Sequence, residues 1–122
     1  EPLLNGLSVL MDIDVQGARQ LRQSLAESIL VFILPPDRKE LLRRLEQRGT
    51  DKPEEIARRM ETAREELFAA PEFDYWVVND HLPEAYDRLR SIYLAEGCRK
   101  VRNQHVLARI QASWEGLGGT QV

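Results

Sequence analysis

Residues 9–18 read VLMDIDVQGA, an apolar stretch that leads into two aspartates, Asp12 and Asp14. It overlaps the first of three short runs that are apolar at successive positions instead of alternating: Leu7 to Ile13, Ile29 to Leu34, and Tyr75 to Val78. Such runs are typical of strands that are buried on both faces, as in a parallel sheet. We therefore predict three buried β-strands.

The segments between these runs repeat apolar residues at helical spacing. The predicted helices lie at about Gly17 to Leu25, between Asp37 and Gly49, between Asp51 and Pro71, and from about Leu82 onward, less regularly past Gly97. Asp37 is a predicted N-cap, and Glu40 three residues later completes a capping-box-like pair. Strands that alternate with helices predict an α/β fold with a parallel sheet flanked by helices, and 122 residues accommodate one domain or less.

The composition argues against several classes of protein. A net charge of −3 gives no overall basic field for nucleic acid or an anionic membrane, so any anion site has to be local. The single cysteine, Cys98, excludes a disulfide framework within the chain, and two histidines offer no metal-ligand spacing. Residues 1–5 lack the basic pattern of a secretion signal, and no segment reaches the ~18 apolar residues of a membrane span. We expect a cytoplasmic protein.

Polar residues follow the predicted strands, at the sheet edge where α/β folds bind their ligands. Asp12 and Asp14 project to the same side because side chains alternate along a strand. One carboxylate there can hold Mg²⁺, often through water, and the other can accept hydrogen bonds from a base or a hydroxyl. The alternative is that both cap the following helix or pair with arginines. Asn79, after the third strand, can read a base edge or form a turn or helix cap.

A group of arginines lies on two consecutive predicted helices: Arg43, Arg44, Arg48, Arg58 and Arg59. Arg44 and Arg48 are four residues apart and share a helix face. Guanidinium groups suit phosphoryl oxygens and the charge that spreads over a transferring phosphoryl group. The alternative is a solvated face with surface ion pairs, because six glutamates are interleaved: Glu40, Glu46, Glu54, Glu55, Glu61 and Glu65.

The order of these segments and their amino-acid sequences resemble those of the guanylate kinase family. The stretch DIDVQGA at 12–18 is similar to the family's DIDxQGA, and the later matches are FILPP at 32–36, RLEQRGT at 44–50, IARRM at 56–60, EL at 66–67 and FDYWVVND at 73–80. These blocks are collinear and cover nearly the whole of residues 5–96. A single short motif is weak, whereas several matched blocks in the same order are specific.

The resemblance implies a P-loop-kinase-like parallel sheet flanked by helices, incomplete, with three strands and a helical lid at about 37–70. The 122 residues would then form one partial domain, with a C-terminal helix and tail at about 82–122. The implied activity is transfer of the γ-phosphoryl group of ATP to GMP, in purine nucleotide metabolism. Asp12 matches the carboxylate that helps to position Mg²⁺ with ATP, and Asp14 matches the carboxylate that accepts hydrogen bonds from guanine.

The resemblance also implies an ATP site. Arg44, Arg48 and Arg59 match the lid arginines that approach the ATP phosphates and the transferred phosphoryl group. Asn79 matches an asparagine near the adenosine, and Pro35 and Pro36 lie on the opposite side of the adenine pocket. Arg58 occupies a variable position in the family and receives no role.

The chain departs from the family in a way that affects activity. Enzymes of this type hold the phosphates with a glycine-rich GxxxxGK[ST] loop, and neither that string nor the small GMP-binding subdomain occurs here. We therefore expect a C-terminal part of a guanylate kinase that by itself lacks kinase activity. In the family, the strand before the loop lies between the strand of Asp12 and the strand of Ile29 to Leu34. Its absence predicts marginal stability or self-association of the truncated chain.

Two other functions are compatible with the same family features. One is a non-catalytic guanylate-kinase-like module that binds peptides instead of nucleotides, although such a module has no need of Arg44, Arg48 and Arg59. The other is a related enzyme that phosphorylates sugar phosphates. Asp14 discriminates against it, since a ribose phosphate offers no target to a guanine-reading carboxylate.

Overall fold

The computed structural model describes residues 10–49 and 51–116. Its regular elements are the helices α1 (Val15–Ser24), α2 (Arg38–Gln47), α3 (Pro53–Leu67), α4 (Leu82–Gly97) and α5 (Gln104–Glu115), and the strands β1 (Val31–Leu34) and β2 (Tyr75–Val78). Short 3₁₀ turns occur at Ala70–Glu72 and Lys100–Arg102. The described part of the chain divides between Asn79 and Asp80 into two compact units.

The strands β1 and β2 pair in parallel, with Val31 opposite Tyr75 and Leu34 opposite Val78. The pairing continues beyond β2, because the backbone N–H of Asn79 donates to the carbonyl of Leu34 at 2.7 Å. Val77 is the most deeply buried large side chain, with 1% of its surface exposed. Parallel pairing across an intervening pair of helices confirms the predicted α/β class.

The predicted strand from Leu7 to Ile13 is wrong for its described part. Residues 7–9 lie outside the described residues, and Leu10 to Ile13 form no strand, with Leu10 83% exposed. A strand requires a neighbour that satisfies its backbone N–H and C=O groups. The sheet of the described residues consists of β1 and β2, which pair with each other, so the expected three strands are reduced to two.

Ion pairs connect α1 to the segment that precedes β2. Arg19 donates from Nε and Nη2 to the two carboxylate oxygens of Glu72, at 2.8 and 2.7 Å, and this pairing lowers the pKa of Glu72. Arg22 pairs with Asp74, whose Oδ2 also accepts the backbone N–H of Leu30 at 2.8 Å. One carboxylate therefore links α1 to the residue that precedes β1.

The region predicted as a lid, about 37–70, contains α2 and α3. Asp37 caps α2, since its carboxylate accepts the backbone N–H of Glu40 at 2.7 Å, as predicted. Gly49 follows α2 with a φ of 68°, a left-handed conformation that favours glycine after a helix. Pro53 begins α3, where a missing N–H has no cost because the first helical N–H groups lack partners anyway. These residues, which cap, end and begin helices, explain why two helices form here instead of one.

In the second unit, the predicted C-terminal helix is interrupted. α4 ends at Gly97 and α5 begins at Gln104. The side chain of Asn103 donates to the carbonyls of Gly97 and Arg99, at 2.9 and 2.7 Å, which stabilises the turn between the helices. Residues 117–122 of the predicted tail lie outside the described residues. Within the ranges that the structure covers, no helix has both the length and the apolar character to cross a membrane.

We expect Asp74→Ala to lower the free energy of unfolding by about 1–3 kcal/mol, because it leaves the part-buried N–H of Leu30 without its acceptor. Chemical denaturation of the full-length protein measures this. Asp74→Asn keeps an acceptor oxygen and should lose less, while Glu61→Ala removes a carboxylate from an exposed pair with Arg64 and should change stability by no more than about 0.5 kcal/mol. Equal effects of Asp74→Ala and Glu61→Ala would contradict this account.

Candidate functional site

The end of β2 and the helix α2 meet through two of the predicted site residues. Nη1 of Arg44 donates to the backbone carbonyl of Asn79 at 2.7 Å, although the two residues are 35 positions apart in the chain. Nε of the same guanidinium donates to the carboxylate of Glu40 at 3.1 Å. Because Asn79 is itself bonded to Leu34, the guanidinium lies at the carboxyl edge of the sheet, where α/β folds bind ligands.

Glu40 does not complete a capping box in the way that the sequence predicts. Its carboxylate accepts hydrogen bonds from Arg43, with Nε at 2.9 Å, and from Arg44. The hydrogen bonds from Arg43, then those from Arg44, lower the pKa of Glu40 to about 2. The backbone of Glu40 is capped by Asp37, whereas its side chain organises two guanidinium groups.

A second group of site residues surrounds an open cavity of about 390 Å³ on the same unit. Its walls are mainly apolar, and its lining residues are Phe32, Ile33, Pro35, Leu41, Arg58, Arg59, Thr62, Ala63, Glu66 and Leu67. Pro35 and Arg59, two predicted ATP-site residues, therefore share one cavity. An apolar pocket of this size with a few charged groups is typical of small-molecule sites.

Three polar cavity residues received no functional role from the sequence: Arg58, Thr62 and Glu66. They lie four residues apart on α3, so they share one face of that helix. This spacing was readable from the sequence, but which face of α3 lines the cavity was not. Arg59 pairs with Asp51, Nη1 to Oδ2 at 3.2 Å, and the Asp51 side chain is 12% exposed. Arg59 is thus paired with a carboxylate that lies two residues before its own helix.

Asp14 is the N-cap of α1. Its Oδ1 accepts the backbone N–H of Gly17 at 2.7 Å, and a Cβ on Gly17 would lie only 3.1 Å from that oxygen. Glycine at this position leaves room for the cap. Only one oxygen is given to this bond, and a carboxylate has about four acceptor positions in total. The capping interpretation of Asp14 is therefore confirmed, while its second oxygen retains the capacity to accept further hydrogen bonds.

The remaining predicted site residues are less constrained. Asp12 is exposed in the segment before α1, and Arg48 is exposed at the end of α2. Pro36 is half-buried and lies next to the cavity residue Pro35. Neither Asp12 nor Asp14 lines the cavity, and the described residues contain no cluster of three side chains suited to a metal ion. The structure therefore brings together Arg44 with Asn79, and Pro35 with Arg59, but not the whole predicted set.

The low pKa of Glu40 predicts a pH-dependent contribution to stability. Above its ordinary pKa of 4.5 the carboxylate is ionised in both the folded and the unfolded chain, so the pairing contributes fully; as pH falls toward about 2, that contribution is lost. We expect the difference in melting temperature between the wild type and Glu40→Gln to be constant from about pH 7 to 5 and to shrink between about pH 4.5 and 2.

Thermal unfolding followed by circular dichroism measures this difference, with Glu61→Gln as a matched control for losing a carboxylate from an arginine pair on the neighbouring helix. A difference that persists unchanged at pH 2 would contradict the assignment.

Comparison with known proteins gives one family. The guanylate kinase family model matches residues 3–96. The guanylate kinase of Nitratidesulfovibrio vulgaris is 58% identical over 91 residues, which are 75% of this chain and 44% of the relative. The guanylate kinase of Oleidesulfovibrio alaskensis is 57% identical over 93 residues, covering 76% and 45%. That of Caldanaerobacter subterraneus subsp. tengcongensis is 38% identical over 109 residues, covering 89% and 53%. The chain spans about half the length of the curated relatives it matches.

Proposed function

This chain belongs to the guanylate kinase family, and from that premise we propose that the whole protein transfers the γ-phosphoryl group of ATP to GMP, giving ADP and GDP. The observation that carries the proposal is the contact of Arg44 with Asn79 at the carboxyl edge of the sheet. It supports a site in which a positively charged guanidinium lies beside the end of β2. An anionic nucleotide fits that arrangement.

In the proposed mechanism, this chain supplies charge stabilisation and part of the ATP site. Pro35, Pro36 and Asn79 flank the adenosine. Three guanidinium groups bind the phosphates and stabilise the charge of the transferring phosphoryl group: Arg44, Arg48 and Arg59. The apolar cavity that joins Pro35 and Arg59 supports the first part of this assignment. Closure of the lid at about 37–70 then excludes water from the in-line transfer.

The second substrate is proposed to contact Asp14, whose carboxylate accepts hydrogen bonds from the N1 and N2 positions of guanine. The capping bond to Gly17 supports this role, because it fixes the carboxylate while leaving acceptor capacity on the other oxygen. A base without paired donors would leave those acceptors unsatisfied, which is the physical basis of discrimination.

Mg²⁺ is proposed to accompany ATP, with Asp12 as the residue of this chain that helps to hold it. The donor chemistry fits, since Mg²⁺ is usually held by one or two carboxylates together with substrate phosphates and waters, and Asp12 is an exposed carboxylate. When bound, the ion neutralises phosphate charge. The proposal also includes a cytoplasmic location, in keeping with the single cysteine of the sequence.

We further propose that the 122 residues alone lack this activity, because the sequence contains no GxxxxGK[ST] loop to cradle the phosphates. We also propose that they tend to self-associate, because the two-stranded sheet of the described residues has unpaired edges. The test is GMP-dependent ATP consumption, measured on the product of the complete native gene and on the purified 122-residue chain. Activity of the complete product and inactivity of the short chain are expected. An inactive complete product would overturn the proposed function and favour the non-catalytic interaction module.

Asp14→Asn should raise KM for GMP and weaken the preference for GMP over AMP, with KM for ATP largely retained. Asparagine is as good an N-cap as aspartate, so its oxygen can still accept the Gly17 N–H, while its NH₂ group presents a donor where guanine needs an acceptor. The matched control is Asp37→Asn, the same change at the N-cap of α2. Steady-state kinetics with varied GMP and AMP measure the effect, and an unchanged KM for GMP would count against the guanine role.

Arg48→Ala is expected to lower kcat by about 10²-fold or more, because an arginine that stabilises transition-state charge acts mainly on the chemical step. Arg64→Ala is the control, since Arg64 is also an exposed arginine of the helical region and pairs with Glu61. Single-turnover kinetics separate the chemical step from product release. If both variants changed only solubility, Arg48 would be an ordinary surface arginine.

A further inference from the structure

Glu40 occupies an unusual position among the acidic residues of the two lid helices, because one of its guanidinium partners also contacts the sheet. Arg44 is bound at Nε by Glu40 and at Nη1 by the carbonyl of Asn79. The Arg44 and Glu40 side chains are 32% and 27% exposed, against 52% for Arg43. The Glu40–Arg44 pair is therefore the more shielded part of this three-residue cluster.

Two bonds from different nitrogens fix the plane of the guanidinium as well as its location. An arginine side chain without such bonds samples many rotamers, and ordering it on binding has a conformational entropy cost. Helix capping does not require the Glu40 carboxylate, because Asp37 caps the first turn. The side chain of Glu40 is thus available to bond the guanidinium groups of Arg43 and Arg44.

A local surface ion pair would look different. The Glu61–Arg64 pair on α3 joins residues three apart, with exposures of 59% for Glu61 and 70% for Arg64, and such pairs contribute little to stability. In contrast, the Arg44 guanidinium also bonds to a main-chain carbonyl 35 residues away. That long-range bond places the guanidinium beside a strand end, which a helix-surface pair does not do.

We propose that Glu40 is a positioning residue, which holds the guanidinium of Arg44 at the end of β2 in the orientation that receives the phosphates of the nucleotide. The inference rests on the proposed function, since it assigns Glu40 to the site of Arg44. Glu40 does not touch the substrate and acts entirely through Arg44. Its removal takes away the acceptor at Nε of Arg44 and leaves the Asn79 contact at Nη1.

A double-mutant cycle in the full-length protein tests the proposal, with Glu40→Ala, Arg44→Ala and the double variant. Glu40→Ala alone should lower kcat/KM for ATP about threefold to tenfold, which corresponds to the cost of ordering one long side chain, and should leave KM for GMP unchanged. In the Arg44→Ala background, Glu40→Ala should lower kcat/KM for ATP by less than about twofold, because the group through which Glu40 acts is gone. Glu40→Gln keeps an acceptor oxygen for Nε and should give an intermediate value.

Two matched controls accompany the cycle. Arg43→Gln removes the other partner of Glu40 while leaving the Glu40–Arg44 bond, and Glu61→Ala removes a lid carboxylate that has no site partner. Both should keep kcat/KM for ATP within about twofold of the wild type, since neither disturbs Arg44. Melting temperatures of all variants are measured beside the kinetics. The proposal would be overturned if Glu40→Ala lowered kcat/KM for ATP equally in the wild-type and Arg44→Ala backgrounds. It would also be overturned if the losses of kcat/KM simply followed the melting temperatures.

Equilibrium binding of ATP, measured by titration calorimetry across the same cycle, separates this inference from the proposed function. A full-length wild type that binds ATP but does not phosphorylate GMP would refute the function, whereas non-additive ATP affinities in the cycle would still support the role of Glu40. Additive affinities, or no ATP binding by the wild type, would overturn the role of Glu40.

Discussion

The parallel pairing of β1 with β2 brings the carboxyl ends of both strands to one edge of the sheet. Leu34 and Val78 are opposite each other, and the next residue, Asn79, bonds back to Leu34. Pro35 follows the first strand and Asn79 follows the second, so the two residues leave the sheet at the same edge. The position of α2 depends on this arrangement as well, because the helix begins four residues after β1 ends. A different pairing would separate Arg44 from Asn79.

Ion pairs between side chains position several arginines in a chain whose net charge is negative. The protein carries a net charge of −3, yet Arg44 of α2 lies at the carboxyl edge of the sheet, and Arg58 and Arg59 of α3 line the cavity. Carboxylates within the same region hold two of these arginines: Glu40 holds Arg44, and Asp51 holds Arg59. Guanidinium groups that are already ordered lose less conformational freedom when an anion binds. The interleaved glutamates therefore do not exclude a phosphate site, because ion pairing and phosphate binding can be successive uses of the same arginine.

Helix boundaries were the most predictable part of the fold, because they depend on nearby residues. Asp37, Gly49 and Pro53 act within one helical turn, and the helices begin and end beside them. The strand from Leu7 to Ile13 was predicted from an equally clear apolar run, and its described part, Leu10 to Ile13, is absent from the described sheet. Apolarity favours burial, but a strand also needs a partner for its backbone groups, and that partner is not encoded in the run itself.

By itself, the sequence determined the α/β class, the helices α2 and α3 with the Asp37 cap of α2, the strands β1 and β2, and the family, because each depends on local pattern or on collinear motifs. It also nominated Arg44, Arg59, Asn79 and Pro35 as site residues. Only the tertiary structure decided that Arg44 contacts Asn79 and that Pro35 shares a cavity with Arg59. It likewise decided that the carboxylate of Glu40 accepts hydrogen bonds from two guanidinium groups instead of completing a capping box. The physical reason is that a side chain with several acceptable partners takes the one that packing brings within reach, and packing depends on residues far apart in the chain.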